Sequence, residues 1–179
     1  MHRRKLLDSL KIYRNHHREE SDLIERFTVF LEENVNCFDR QNKIGHVTGS
    51  AWLLHPDHNC VLLTHHKKLN RWLQLGGHSD GESDTLSVAI REATEESGLT
   101  VRPMEKAIFD IDVHEIPRRE NEPAHLHFDV RFLLEAADTD FVVSHESNDL
   151  RWVKITEIDR YTDEGSVLRM RDKWLIRLE

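Results

Sequence analysis

The chain has 179 residues, of which 32% are charged and 38% apolar, and a formal net charge of −8. That length suits one domain with a modest extension and buries a core without staples, and Cys37 and Cys60 lie too far apart in sequence to suggest a disulfide framework. The acidic balance argues against general nucleic-acid binding, and no apolar run approaches the roughly 18 residues of a membrane-spanning helix. The basic stretch 2–20 lacks the continuous apolar segment of a signal peptide, so a cytoplasmic location is expected. Phosphorylated substrates stay open, because a carboxylate cluster that recruits divalent cations turns its local field positive.

Taken in chain order, Leu6, Leu7, Leu10, Ile12 and Tyr13 recur at three- and four-residue spacing and predict a first helix. Leu23, Ile24, Phe27, Phe30 and Leu31 form the stripe of a second, with Ser21 or Asp22 as its expected N-cap. A polar break near residues 34–43 separates this N-terminal helical extension (1–40) from the main domain (41–179). Val47–Leu54 and Val61–Thr64 read as strands around the turn Pro56-Asp57-His58-Asn59. Trp72–Leu75 leads into a Gly76-Gly77 loop that ends near Asp84. Thr85–Ser97 is the clearest helix: Leu86, Ala89, Ile90 and Ala93 share a stripe, and Gly98 supplies a stop. Further strands are expected at Val101–Val113, His125–Leu134 and Asp149–Val153, a short helix at Ile155–Ile158 and a closing one at Ser166–Leu178. Strands interleaved with helices predict a mixed α/β domain behind the helical extension.

On the Thr85–Ser97 helix, Glu92, Glu95 and Glu96 fall at i, i+3 and i+4, within an arc roughly 100° wide. Like charges at that spacing repel by several tenths of a kcal/mol. A hard divalent cation would offset the repulsion; a plain solvated acidic face is the alternative.

Context favours the cation. Gly77, Arg91, Glu92, Ala93, Glu95, Glu96, Gly98 and Leu99 stand in the register of the Nudix hydrolase signature, which the segment closely resembles. Its fixed identities would coincide by chance about once in 10⁷ starting positions at ordinary residue frequencies. One position departs: the signature's first glutamate falls on Ser83, with Glu82 and Asp84 beside it as substitutes for a helix-start contact to Arg91. The resemblance covers roughly residues 45–160 and implies an α/β/α sandwich with a mixed β-sheet.

The resemblance also implies an activity: hydrolysis of a diphosphate linkage in a nucleoside diphosphate derivative or nucleoside triphosphate, with Mg²⁺ as cofactor and Mn²⁺ as substitute. It implies metal ligation by Glu92, Glu95, Glu96 and the Gly77 carbonyl, with Glu92 alternatively orienting or deprotonating water. Arg91 becomes a structural partner of the loop. A further glutamate, as ligand or base, is expected after the signature; Glu146 is the first choice, with Glu120 and Glu122 behind it. His78 would sit near the phosphates, and Lys68 and Arg71 could neutralise distal ones, if they are not simply part of a solvated turn. His125, His127 and Asp129 alternate on one strand face, as a substrate wall, a His-x-His metal site or an ordinary exposed face. The 13 histidines show no zinc-type spacing and are expected mainly at the surface or behind other site residues. Trp72, close to Gly77, is the aromatic best placed to stack on a base. The expected partner is a small-molecule diphosphate, and the helical extension leaves room for a homodimer contact. Rival readings are a non-catalytic ligand-sensing or interaction domain and an isoprenoid diphosphate isomerase; within the family the latter uses a cysteine and a metal-binding histidine set, and neither Cys37 nor Cys60 stands in a context that matches it.

Overall fold

The computed structural model describes residues 2–118, 123–145 and 147–178, so the expectations for Glu120, Glu122 and Glu146 lie outside the described residues. The chain begins with α1 (Arg4–His16), a 3₁₀ turn at Arg18–Glu20 and α2 (Ser21–Glu33). Ser21 is the first residue of α2 rather than its cap. Glu20 occupies the cap position and makes no side-chain capping bond, because the chain passes into α2 directly from the 3₁₀ turn.

Eight strands follow, among the described residues: β1 (Gly45–Leu54), β2 (Cys60–His66), β3 (Arg71–Leu73), β4 (Leu75–His78), β5 (Val101–Pro103), β6 (Asp110–Ile116), β7 (His125–Ala136) and β8 (Ser147–Lys154). Between β4 and β5 runs α3 (Thr85–Ser97), and a 3₁₀ segment at Ile155–Arg160 leads to α4 (Gly165–Arg177). All strands join one mixed sheet. Its spine is the parallel pair β1–β7, registered from Gly45↔Leu126 to Leu54↔Glu135; the other pairings are antiparallel.

Two expectations change. The Gly76-Gly77 segment is a strand, not a loop: β4 pairs with β1 through Ser50↔Gly76 and Gly49↔Gly77. Without side chains there, the backbone fits closely between β1 and α3. The single strand expected over Val101–Val113 is two, because both β5 and β6 pair with β7 while residues 104–109 loop out between them.

Strand alternation divides the side chains of β1 and β7 between two faces. Val47, Ala51, Leu53, Phe128, Val130, Phe132 and Leu134 join Leu6, Leu10, Phe27, Phe30, Leu31 and Ala89 in one core. The helices of the N-terminal extension therefore share a core with the sheet and α3, and Phe30 stacks on Phe128 at a centroid distance of 3.7 Å. On the other face Trp52, Leu54 and Leu133 pack with Val167, Met170 and Trp174 of α4. The result is an α/β/α sandwich around a mixed sheet. No helix among the described residues is long and apolar enough to cross a membrane.

Candidate metal centre and the polar face behind it

Helix α3 is fixed first by packing. Val88, Ala89 and Ala93 are fully buried, while Leu86 and Ile90 are only partly so. The buried face is centred nearer Val88 than the expected stripe because Gly49 of β1 admits the helix there: a Cβ at position 49 would lie 2.7 Å from the Thr85 carbonyl oxygen and 2.9 Å from Val88. The helix ends where Gly98 turns left-handed, at φ 72°, and returns its N–H to the Thr94 carbonyl.

This seating leaves Glu92, Glu95 and Glu96 along the side of α3 next to β4. Glu96 Oε1 accepts a hydrogen bond from the Gly76 N–H at 2.8 Å. Glu92 Oε1 accepts from Arg91 Nη2 at 2.8 Å, and the same nitrogen donates to the His78 carbonyl at 2.7 Å. Arg91 thus ties helix to strand, and its hydrogen bond to Glu92 with the charges of Glu92, Glu95 and Asp80 holds its pKa above the ordinary value. The Glu92 carboxylate lies so close over Gly77 that any Cβ there would collide with Oε2. Glu95 is exposed. A hard-oxygen donor set held between a helix and a side-chain-free strand fits a divalent cation with oxygen preference, with the peptide carbonyls of the strand close by.

The loop before α3 is built differently from the expectation for positions 82–84. Glu82 accepts from the Asp84 N–H at 2.8 Å, and Asp84 pairs with Lys5 of α1 at 2.6 Å. Both side chains serve the helix start and the extension, while the Arg91 hydrogen bonds run to β4 and Glu92. Among the other expected contacts, Lys68 is exposed in the β2–β3 turn and Arg71 forms an ion pair with Glu164 ahead of α4. Trp72 is already stacked, on His65 at 5.1 Å and against Tyr161 at 5.7 Å, with the Arg151 guanidinium 5.6 Å from its centroid. Burial pushes the Cys37 thiol up to about 11, so it is not a nucleophile at neutral pH.

The opposite face of β1 and β7 carries polar residues that spacing alone left scattered. His46, Thr48 and Ser50 of β1 lie alongside His125, His127 and Asp129 of β7. Asp129 Oδ1 accepts from Thr48 at 2.8 Å and Ser50 at 2.7 Å, and its Oδ2 from Arg131 at 2.7 Å. Arg131 continues to Asp110 and Asp112, which also receive Arg169 and, at Asp110, Lys173. Toward the other end, the rings of His78 and His114 sit 5.2 and 5.4 Å from that of His127. Desolvation, then the neighbouring imidazoles His114, His46, His78 and His125, hold the pKa of His127 far below the ordinary histidine value, and burial takes His46 down to about 4. His46 and Arg131 were not singled out in the sequence. The signal for both was a period-2 polar pattern in β1 matching the one in β7, which becomes readable only once the two strands are known to be neighbours.

A family model for the NUDIX domain matches residues 46–171. A protein of Lactococcus lactis subsp. cremoris (strain MG1363) named "Probable DHNTP pyrophosphohydrolase" is 38% identical over 118 residues, spanning 65% of this chain and 69% of its own. Among solved structures, a NUDIX-family hydrolase from Clostridium perfringens aligns with a TM-score of 0.59 at 22% identity, covering 77% of this chain and 99% of that one. The E. coli dihydroneopterin triphosphate pyrophosphohydrolase aligns with a TM-score of 0.54 at 15% identity, covering 73% and 95%. A C. elegans Ap4A hydrolase aligns with a TM-score of 0.53 at 17% identity, covering 74% and 96%. At these identities the structural matches speak to fold.

Proposed function

The chain belongs to the NUDIX family of hydrolases, and on that premise we propose that it hydrolyses a diphosphate linkage in a nucleotide-derived small molecule, with Mg²⁺ held by Glu92, Glu95, Glu96 and the Gly77 carbonyl. The observation that carries this reading is the three-carboxylate side of α3, latched to β4 through Glu96 and Gly76 and through Arg91 and His78.

Bound Mg²⁺ would neutralise phosphate oxygens and lower the pKa of a coordinated water; Mn²⁺, equally suited to oxygen ligands, is the expected substitute. The chain's own residues supply position. Gly77 lets the Glu92 carboxylate approach the strand. Arg91 holds both Glu92 and the His78 carbonyl, which fixes the helix–strand distance to which any phosphate must fit. Water attacks phosphorus as the bond to the leaving phosphate oxygen breaks, and Glu92, Glu95 or Glu146 takes the water's proton. His78 stands next to this centre in sequence, and Lys68 and Arg71 would neutralise the distal phosphates of an extended substrate.

The test is a substrate panel with Mg²⁺ or Mn²⁺: nucleotide sugars, ADP-ribose, dinucleoside polyphosphates, nucleoside triphosphates and, prompted by the Lactococcus relative, dihydroneopterin triphosphate. Mass analysis of the products identifies the bond cut. Turnover that disappears on chelation and returns with Mg²⁺ is expected; no turnover of any diphosphate at high enzyme concentration would sink the proposal.

A further inference from the structure

The histidine end of the polar face is not accounted for by the carboxylate centre. One candidate ligand nitrogen from each of His46, His125 and His127 lies within 4.8 Å of the other two. Three properties of the group point the same way.

The first is spacing. His125 Nε2 and His127 Nε2 face each other at 3.3 Å. Two nitrogens bound to one tetrahedral zinc at the usual Zn–N length of about 2.0–2.1 Å are themselves about 3.3–3.4 Å apart. The second is orientation. His125 Nδ1 is 2.9 Å from the Pro123 carbonyl oxygen, to which it donates, and this leaves Nε2 as the lone-pair nitrogen turned inward. A backbone carbonyl holding the outer nitrogen is the usual support of a metal-bound imidazole. The third is an unmet need. His46 is 0% exposed, and both of its ring nitrogens are buried without a hydrogen-bond partner. A buried imidazole with neither nitrogen satisfied forfeits the hydrogen bonds it would make in water, and a ligated metal would restore one of them.

We propose that His46, His125 and His127 form a second, nitrogen-donor metal site for a Zn²⁺-class transition dication, on the sheet face opposite the α3 carboxylates. Imidazole ligands suit Zn²⁺, Co²⁺, Ni²⁺ and Cu²⁺, whereas the oxygen donors of the α3 centre suit Mg²⁺ and Mn²⁺. Three protein ligands leave a fourth position for water or an anion. The two centres meet at one residue: the His78 ring lies beside those of His46 and His127, and its carbonyl accepts from Arg91.

The experiment uses the untagged full chain, stripped with chelator and titrated with Zn²⁺ and Co²⁺ while stoichiometry and the visible ligand-field bands of tetrahedral Co²⁺ are followed. One equivalent bound with tetrahedral bands is expected. Both should persist when Glu95→Gln and Glu96→Gln are combined, which separates this site from the one under the proposed function. His46→Gln and His127→Gln should each weaken Zn²⁺ binding by about 100-fold or more, beyond what losing an outer-shell support costs. Because a change at His127 risks misfolding, the wild type is also read directly: long-range ¹H–¹⁵N spectra of the histidine rings should show three imidazoles shifting together with Zn²⁺. Tight binding that survives both histidine changes, shifts confined to other histidines, or no tight equivalent at all would overturn the proposal. So would a cluster that responds to inorganic pyrophosphate and ignores Zn²⁺, which would make it a substrate wall.

Discussion

Two groups of charge in this molecule look alike in sequence and differ in what the fold does with them. On the α4 side of the sheet, Asp110 and Asp112 are met by Arg131, Arg169 and Lys173, and Asp110 and Arg131 are almost wholly buried. The cluster carries its own counter-charges. Along α3, three glutamates lie within two turns; among their hydrogen bonds, Glu92 accepts from Arg91 and Glu96 from the Gly76 N–H. The paired cluster joins the sheet to α4 and reads as scaffold, whereas the carboxylates that join α3 to β4 are those proposed above to hold a metal.

The sharpest break in that comparison is Asp110→Ala. It leaves the Arg131 charge buried with a major partner gone, and removing one side of such a buried pair typically costs about 3–5 kcal/mol. Thermal or denaturant unfolding should show this loss, with the residual folded fraction still turning over substrate. The glutamates should behave in reverse. Glu95→Gln and Glu96→Gln are each expected to lower kcat by about 100-fold or more, equivalent to at least about 2.7 kcal/mol of barrier, with unfolding temperatures close to wild type. Steady-state kinetics beside calorimetry decides it; variants of both kinds losing stability equally would dissolve the distinction. Next comes Gly77→Ala. Its Cβ must displace the Glu92 carboxylate, so we expect a roughly tenfold rise in the Mg²⁺ concentration needed for half-maximal activity, measured by metal titration.

The smallest effect is on pH. Desolvation alone would raise the pKa of Asp112, but the His114 hydrogen bond and the charges of Arg131, His114 and Arg169 outweigh it and hold the carboxyl well below the usual range. A carboxylate depressed in the folded state contributes stability that is present above its unfolded pKa of about 4 and is lost as pH falls through the folded value. Asp112→Asn should therefore lower stability across the neutral region and flatten the acid limb of a stability–pH curve, the variant and wild-type curves converging as pH falls through the folded value.

The sequence made the α3 centre legible because its parts are local: one helical period brings Glu92, Glu95 and Glu96 together, and Gly98 stops the helix at a fixed place. The strands flanking the Pro56–Asn59 turn were equally plain from their apolar runs. The histidine cluster was not, since His46 precedes His125 and His127 by about eighty positions and the three meet only through the parallel register of β1 and β7. Asp110, Arg131 and Lys173 were not singled out in the sequence either, since they too meet only through the fold. The Gly76-Gly77 strand was missed because glycine pairs suggest turns; here the missing side chains serve close packing on both faces. The roles of Glu82 and Asp84 were obscured for a related reason: the Lys5 partner of Asp84 lies on the extension, outside the part of the chain that the signature describes.

The parallel pairing of β1 with β7 also bears on when the centre can come into being. Antiparallel neighbours such as β1 and β4 close over short stretches, but β1 cannot meet β7 until the chain between them, α3 included, has been laid down. Contacts so distant in sequence pay their loop-closure entropy before any pairing is gained, and they slow folding. During synthesis, α3 emerges with its three carboxylates well before β7 exists to complete the sheet on which it rests. The helix is therefore made early and its seat late, so competence for catalysis should appear as a late, cooperative event and not grow with chain length.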